Sequence, residues 1–154
     1  MENLDSLRRF CFSVTDSGPE GDDLAQNTVE RLMDKGVPAD VPFTAWMLRV
    51  CKNLWIDHLR ANARTHPADS DELERHMGSV DGASEALGNV HFAEVTTAIK
   101  KLDPEQRLVL GLVTVEGHTY REAADILDIP VGTVMSRLSR ARIRLLELTG
   151  EVKQ

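Results

Sequence analysis

Apolar residues recur along most of the chain at three- and four-residue spacing, which is the repeat of one face of an α-helix. The clearest case is a stripe of seven apolar positions, namely Phe43, Trp46, Met47, Val50, Cys51, Leu54 and Trp55. This stripe predicts a long amphipathic helix from Phe43 to about Arg64. No segment shows the sustained apolar–polar alternation of a strand. The sequence therefore predicts an all-α fold.

Turn and capping residues divide the rest of the chain into shorter helices. They predict helices over residues 3–15, 22–35, 104–115 and 120–127, and a last helix from about Gly132 to Leu148. Asp22 and Asp23 are expected in the first turn of the second helix, with Gly36 directly after its end. Thr119 and Glu122 have the spacing of a capping box. Each predicted helix thus has a local start or stop signal.

Charge is spread unevenly along the chain. The 154 residues contain 18 Lys and Arg against 25 Asp and Glu, which gives a net charge of −7. Residues 65–90 alone contribute 1 − 6 = −5, lack aromatic residues and are rich in Asp, Ser, Gly and Ala. This composition is typical of a flexible linker. We therefore expect two small helical domains, over residues 1–64 and 91–154, joined by a flexible acidic linker.

Several protein classes are excluded by composition. No apolar run approaches the roughly 20 residues of a membrane span, and the first residues lack the order of a secretory signal, so we expect no direct membrane insertion. Cys11 and Cys51 are too few for a disulfide framework or a four-Cys zinc site, which favours a reducing, cytoplasmic location. Cys51 lies on the apolar stripe and is expected in the core. We expect no metal, no cofactor and no catalytic residue, because no such constellation stands out.

The C-terminal pattern is that of a helix-turn-helix, with a short helix, a tight break and an arginine-rich helix. The inner face of the last helix carries Val134, Leu138, Ala141 and Leu145. Its outer face carries donors suited to base edges and phosphates, namely Thr133, Ser136, Arg137, Arg140 and Arg144. Residues 131–146 hold four arginines and no acid, so no arginine has an i,i+4 acidic partner there. This favours DNA binding over an ordinary solvated face.

These stretches also resemble a known family. The sequences DPEQR from Asp103, EGHTYREAA from Glu116 and IPVGTVMSRLSRAR from Ile129 resemble region 4 of bacterial sigma factors. DDLAQNT from Asp22 resembles region 2.1, and FTAWMLRVCKNLWIDHLR from Phe43 resembles regions 2.3 and 2.4. The order matches the extracytoplasmic-function (ECF) group of the sigma-70 family, whose small members keep only regions 2 and 4. The resemblance covers nearly all of the chain except the linker.

The resemblance implies three sets of contacts. The recognition helix would bind minus-35 DNA through Thr133, Ser136, Arg137 and Arg140, with Arg142 and Arg144 on phosphate or linker acids. The single-stranded minus-10 DNA would lie along Lys52, Asn53, Arg60 and Arg64, with a flipped base in the loop from Val37 to Pro42. Core RNA polymerase would meet the second helix through its β′ clamp helices at Asp23, Gln26, Glu30 and Arg31, and the second domain through its β flap.

Four further positions are considered individually. Asp128 stands where many relatives have Gly at the turn, and Asp tolerates a left-handed conformation better than most residues. Met135 occupies a position where a basic side chain is common, so the base preference there stays open. Trp46 is expected in the core, whereas Trp55 could be core or a platform on which a base stacks.

The expected function is that of an ECF-type sigma factor, which has no chemistry of its own. It would bind core polymerase, direct it to a promoter, help to melt the start site and be restrained by an anti-sigma factor. Low DNA affinity is expected of the free chain, because its acidic linker opposes phosphate. One alternative is a sigma mimic that binds an anti-sigma factor without engaging DNA. Another is a helix-turn-helix repressor with a dimerising N-terminal part and a palindromic site.

Overall fold

The computed structural model describes residues 2–65 and 90–150, with side chains described for 2–64 and 93–150. In chain order the helices are α1 (Glu2–Val14), α2 (Gly18–Lys35), α3 (Phe43–Thr65), α4 (Val90–Lys100), α5 (Pro104–Leu110), a π-helical segment (Gly111–Val115), α6 (Tyr120–Leu127) and α7 (Val131–Thr149). These two described ranges contain no strand, and the predicted all-α class is confirmed. Most of the predicted linker lies outside the described residues.

The second helix begins four residues earlier than predicted. Ser17 is extended and its hydroxyl accepts a hydrogen bond from the backbone N–H of Glu20 at 3.2 Å, which makes Ser17 the N-cap. Pro19 fits this first turn because its fixed φ is already helical. Asp22 and Asp23 therefore lie beyond the first turn, and that prediction is wrong. Gly36 ends the helix with a φ of +79°, as predicted.

The predicted helix 104–115 is one α-helix followed by a π-helical turn. The segment begins at Gly111 and closes with a hydrogen bond from the backbone N–H of Glu116 to the Gly111 carbonyl at 2.9 Å. A Cβ at Gly111 would lie 2.8 Å from Ser13 Oγ and 3.2 Å from the Phe10 ring. The Gly111 backbone is ordinary right-handed helix, so glycine is favoured here by the nearby Ser13 and Phe10 side chains of α1 and not by its backbone conformation.

The helix-turn-helix forms as predicted. The Thr119 hydroxyl accepts the Glu122 N–H at 3.0 Å, and the Glu122 carboxylate accepts the Thr119 N–H at 2.9 Å. This capping box starts α6. Asp128 ends the helix in the left-handed conformation at φ 59°. α7 then begins at Val131, one residue before the predicted start.

The two parts of the chain share one hydrophobic core. Residues 2–65 are called the first half below, and residues 90–150 the second half. Leu7 and Phe10 of α1 belong to the same buried cluster as Leu112 and Leu138 of the second half. α1 packs against α2, α3, α5 and the π segment, and α3 packs against α6. The halves are therefore in direct contact along two helices of the first half.

Residues of α3 show which side chains of the long helix enter this core. Trp55 is 4% exposed and its ring stacks on His58 with centroids 5.2 Å apart, so the open question is settled for the core. Trp46 is only half-buried, so its expected place in the core is wrong. It lies one position before Met47 and Leu48, which are the residues that face the core here.

None of the described helices is long and apolar enough to cross a membrane.

The two cysteines lie together where α1 packs against α3. Both are buried free thiols, and their sulfurs are 3.5 Å apart. Cys51 is in the core, as predicted. The hydrogen bond with Cys51 and burial raise the pKa of the Cys11 thiol. This keeps Cys11 in its neutral form, which suits a core position.

Candidate nucleic-acid interface

α7 is oriented by its apolar inner face. Val134, Leu138 and Ala141 are buried, while Leu145 is half-buried at the edge of the same cluster. Ala123 and Ala124 of α6 are buried where the two helices pack. Small side chains allow a close crossing, so the polar face of α7 is directed away from the core.

The outer face of α7 is largely open to solvent. Ser136, Arg140, Arg142 and Arg144 are exposed, and Thr133 and Arg137 are half-buried. Arg137 lies 3.7 Å from the carboxylate of Glu105, and Arg144 lies 3.6 Å from that of Glu147. Two arginines of the acid-free stretch 131–146 therefore have acidic neighbours, and both of these acids lie outside that stretch. Met135 is 50% exposed on this helix.

The basic residues of α3 are divided between solvent and the interior. Asn53, Arg60 and Arg64 are exposed. Lys52 is only 8% exposed, so it does not lie on an open face in this arrangement, and its predicted contact with minus-10 DNA stays a prediction. One turn earlier, Arg49 donates a hydrogen bond to the backbone carbonyl of Asp125 at the end of α6. The packing of α6 on α3 explains why this stretch of the helix is covered.

Burial also changes the chemistry of Lys52. Burial, with the nearby positive charge of Arg49, lowers the pKa of its amine, and the carboxylate of Asp128 acts in the opposite direction. Asp128 belongs to the turn of the helix-turn-helix. The two halves therefore act on one another electrostatically at the predicted minus-10 surface.

The loop between α2 and α3 is largely exposed to solvent. Val37, Ala39 and Asp40 are exposed, while Pro38 and Val41 are half-buried. It connects Gly36 to the start of α3 and so lies next to that helix. A loop with exposed backbone can offer donors and acceptors to an unstacked base.

The four predicted polymerase contacts lie on one exposed side of α2. Asp23, Gln26, Glu30 and Arg31 are all exposed. Gln26 and Glu30 also line a groove of about 500 Å³ between α1 and α2, together with Leu4, Arg8, Asp22, Ala25 and Val29. Leu24 is buried and Leu32 half-buried beneath them. The groove combines an apolar floor with charged edges, as protein interfaces do.

Arg107 is a structural residue that sequence analysis missed. It is 6% exposed, and its guanidinium donates to Asp16 Oδ1 at 2.6 Å, the Thr15 carbonyl at 2.6 Å and the Ser13 carbonyl at 3.2 Å. Its Nε is buried without a partner. All three acceptors lie in the first half, more than 90 residues away. No spacing in the sequence could have linked them.

No group of three His, Cys, Asp or Glu side chains within the described ranges is placed to bind a metal ion.

Glu122 is a titratable residue in the first turn of α6. Hydrogen bonds from the Thr119 backbone and from His118 lower the pKa of its carboxyl group. Its position fits helix capping, since it satisfies an N–H that the helix leaves unpaired.

Comparisons with known proteins find matches for both halves of the chain. A family model described as Sigma-70 region 2 matches residues 1–65, and one described as Sigma-70, region 4 matches residues 92–145. The ECF RNA polymerase sigma factor EcfG of Rhodopseudomonas palustris is 32% identical over 147 residues, covering 93% of this chain and 78% of EcfG. The ECF RNA polymerase sigma factor SigC of Mycobacterium tuberculosis is 34% identical over 142 residues, covering 90% of this chain and 74% of SigC.

Solved structures show the same fold. The sigma factor RpoE of Bartonella quintana, in complex with the anti-sigma factor NepR, matches with a TM-score of 0.76 and 28% identity over 99% of this chain and 94% of RpoE. CnrH, in complex with the cytosolic domain of CnrY, matches with a TM-score of 0.64 at 23% identity, covering 96% of this chain and 82% of CnrH. The chain belongs to the extracytoplasmic-function group of the sigma-70 family.

Proposed function

We propose that this chain binds bacterial core RNA polymerase and directs it to promoter DNA. The observation that carries the proposal is the exposed polar face of α7, which a capped α6 and a left-handed turn at Asp128 place at the surface. A helix with exposed arginine and hydroxyl donors suits the major groove, where base edges present acceptors.

In this proposal α7 binds the minus-35 element. Ser136 and Arg140 are exposed and available to base edges, and Thr133 and Arg137 are half-buried beside them. Arg142 and Arg144 are exposed and positioned along the helix for phosphate contacts. Glu105 and DNA would compete for Arg137, since the carboxylate lies 3.7 Å from its guanidinium.

The minus-10 element would be held as a single strand by α3 and the loop before it. Arg60 and Arg64 are exposed and can pair with phosphates, and Asn53 offers an amide to a base edge. The loop from Val37 to Pro42 would take the flipped base. Lys52 joins this surface only when α6 no longer covers it.

Core polymerase would bind α2 along Asp23, Gln26, Glu30 and Arg31, with its β′ clamp helices in the neighbouring groove. The second half would contact the β flap. The chain supplies recognition and strand separation, while nucleotide transfer belongs to the polymerase. It would act in the cytoplasm, where polymerase and promoters are found.

An anti-sigma factor is the second proposed partner. The structure of RpoE of Bartonella quintana, whose fold matches over 99% of this chain, was solved in complex with the anti-sigma factor NepR. A comparable protein would hold this chain away from polymerase. The exposed apolar residues of α7, Ile143 and Leu146, give such a partner apolar area to cover.

The test is run-off transcription with purified chain, core polymerase and genomic promoter fragments. Specific transcripts should appear with the wild type and be lost with the double variant Arg137→Ala, Arg140→Ala. Lys101→Ala, which removes an exposed charge between α4 and α5, is the matched control and should transcribe normally. A chain that does not bind polymerase would overturn the proposal in favour of a mimic that binds an anti-sigma factor.

A further inference from the structure

The two cysteines of the chain form a buried pair inside the first half. Cys11 of α1 and Cys51 of α3 are both fully buried, and their sulfurs are 3.5 Å apart in a hydrogen bond between the thiols. The two residues are 40 positions apart in the sequence. Nothing proposed above for polymerase, promoter DNA or an anti-sigma factor uses either thiol. Two nucleophilic groups therefore meet where packing alone needs only small apolar side chains.

Hydrogen bonds fix the backbone that carries Cys11. The Cys11 carbonyl accepts a hydrogen bond from the Thr15 hydroxyl at 2.7 Å and another from the Thr15 N–H at 3.1 Å. The Thr15 carbonyl in turn accepts a hydrogen bond from the buried Arg107 at 2.6 Å. Cys51 lies on α3, one turn before the buried Trp55. Both sulfurs are thus presented by well-held helices, which keep them together in the folded chain.

The separation of the two sulfurs is close to what a disulfide needs. The S–S bond is about 2.05 Å long, so sulfurs that lie 3.5 Å apart must approach by about 1.5 Å. A rotation of about 30° about one Cα–Cβ bond moves its sulfur by roughly 1 Å. Small rotations of the two side chains can therefore close this gap while α1 and α3 keep their packing.

Burial determines how such a pair reacts. The hydrogen bond with Cys51 and burial raise the pKa of the Cys11 thiol, so reaction with an oxidant is slow and needs local opening of the contact between α1 and α3. The same burial keeps a second oxidant molecule and the thiols of other proteins away from the first oxidation product. The neighbouring sulfur is already in place. The expected product is therefore an intramolecular disulfide, formed before a sulfinic acid or a dimer.

We infer that Cys11 and Cys51 are a site of reversible oxidation, at which a hydroperoxide converts the two thiols into a disulfide between α1 and α3. One sulfur attacks a peroxide oxygen and the O–O bond breaks, which for hydrogen peroxide gives a sulfenic acid and one water. The second sulfur then attacks the sulfenic sulfur. The S–O bond breaks, and the hydroxyl group leaves with the second thiol proton as another water. The thiols lose two electrons, and the peroxide gains them.

The disulfide would protect the core of the first half from lasting damage. A lone thiol that is oxidised further becomes a sulfinic acid, whose charge is costly to bury among apolar side chains. A disulfide is uncharged, and a thiol reductant restores both cysteines. The inference goes beyond the proposed function and does not depend on it, because its tests use the chain without polymerase or DNA.

The direct test treats the folded chain with hydrogen peroxide, labels the remaining thiols with a maleimide in denaturant and identifies the products by mass spectrometry. We expect loss of both labels and a cross-linked peptide pair, with Cys11 joined to Cys51, about 2 Da lighter than its reduced peptides. Dithiothreitol should restore both labels. A folded chain that keeps both thiols at a peroxide concentration that oxidises them in urea would overturn the inference. Dimers or sulfinic acid as the main product would also overturn it.

An equilibrium measurement asks whether the fold favours the bond. In glutathione redox buffers the effective concentration of one thiol at the other should be at least about tenfold higher in the folded chain than in urea, because folding replaces a flexible separation of 40 residues by a contact of 3.5 Å. The oxidised chain should then melt at a higher temperature than the reduced chain. An effective concentration no higher than in urea, or a lower melting temperature on oxidation, would contradict the inference.

Variants test the protective role. After peroxide and then dithiothreitol, the wild type should recover its melting temperature, whereas Cys11→Ala should not, because Cys51 then has no partner sulfur. The double variant Cys11→Ala, Cys51→Ala is the matched control, and it reports any loss caused by oxidation of methionine. If Cys11→Ala is unfolded by circular dichroism before treatment, Cys51→Ala takes its place. Recovery of the single variant as complete as that of the wild type would contradict protection by the disulfide.

Discussion

The helices α3 and α7 differ in how much of their polar faces the fold leaves open. Both carry an apolar stripe that enters the shared core, and both carry several basic residues. On α7 the exposed residues extend along the helix, from Ser136 to Arg144. On α3 the stretch with Arg49 and Lys52 is covered by α6, whereas Asn53, Arg60 and Arg64 are exposed. Periodicity identifies an inner face, but tertiary packing decides how much of the outer face is free.

The largest expected effect tests whether α3 and α7 share one core. Leu48→Ala and Leu138→Ala should each lower the free energy of unfolding by about 2–5 kcal/mol, because each removes a fully buried side chain. Both tryptophans lie in α3, so their fluorescence reports the first half. Leu138→Ala should shift the urea midpoint measured by fluorescence as much as that measured by circular dichroism.

The control for this prediction is Met135→Ala, a half-exposed position on the same helix as Leu138. It should change stability by less than about 0.5 kcal/mol. If Leu138→Ala moved only the circular dichroism transition, the halves would unfold separately, and the shared core would be contradicted.

The next prediction concerns the open face of α7. Arg140→Ala should weaken binding of polymerase with this chain to minus-35 DNA by about 1–3 kcal/mol and relax base preference at one position. Arg144→Ala should weaken binding to all sequences alike and reduce the slope of log affinity against log salt by about 1. Fluorescence anisotropy on a series of substituted duplexes measures both. Equal base preferences in wild type and Arg140→Ala would argue against base contact by Arg140.

A smaller effect should separate the covered and exposed parts of α3. Arg60→Ala should reduce the salt slope of single-strand binding by about 0.7, in the free chain and with polymerase alike. Lys52→Gln should reduce it only when polymerase is present, because the free chain buries Lys52. Salt titrations of oligothymidylate binding make the comparison. A loss of affinity in free Lys52→Gln would show that the residue is already exposed.

The smallest effect is the pH dependence of the α6 cap. The folded-state pKa of Glu122 is lowered from its ordinary value of 4.5 by hydrogen bonds from the Thr119 backbone and His118. A lowered pKa stabilises the fold above pH 4.5, and this stabilisation is lost as pH falls from 4.5 through the folded-state value. The difference between the melting temperatures at pH 6 and at pH 3 should therefore be smaller in Glu122→Gln than in the wild type. If the melting temperature of the variant depended on pH as that of the wild type does, Glu122 would not contribute to the pH dependence of stability.

Local signals predicted the fold well where the cause was local. The Thr119–Glu122 box, the left-handed turn at Asp128 and the C-cap at Gly36 each depend on a few neighbouring residues. The predicted start of α2 is too late because Ser17, in the turn directly after α1, acts as the N-cap of α2. The same residues can end one helix and begin the next.

The remaining features depend on contacts between distant segments. Lys52 is covered by α6, and the partners of Arg107 and Glu116 lie more than 90 residues away. Gly111 appears in the sequence as an ordinary residue of a helix, and the reason for glycine there is the approach of α1. Such placements follow from which helices pack together, and one sequence without that information does not determine them.

The central claim is that the two halves of this chain act on one promoter when polymerase is present. It is tested most directly by permanganate reactivity of thymines near minus-10, in a complex of the chain, core polymerase and a promoter identified by run-off transcription. We expect unpaired, reactive thymines with the wild-type chain and their loss with the double variant Arg60→Ala, Arg64→Ala. A complex in which polymerase and promoter are bound through the wild-type chain while those thymines stay unreactive would contradict it.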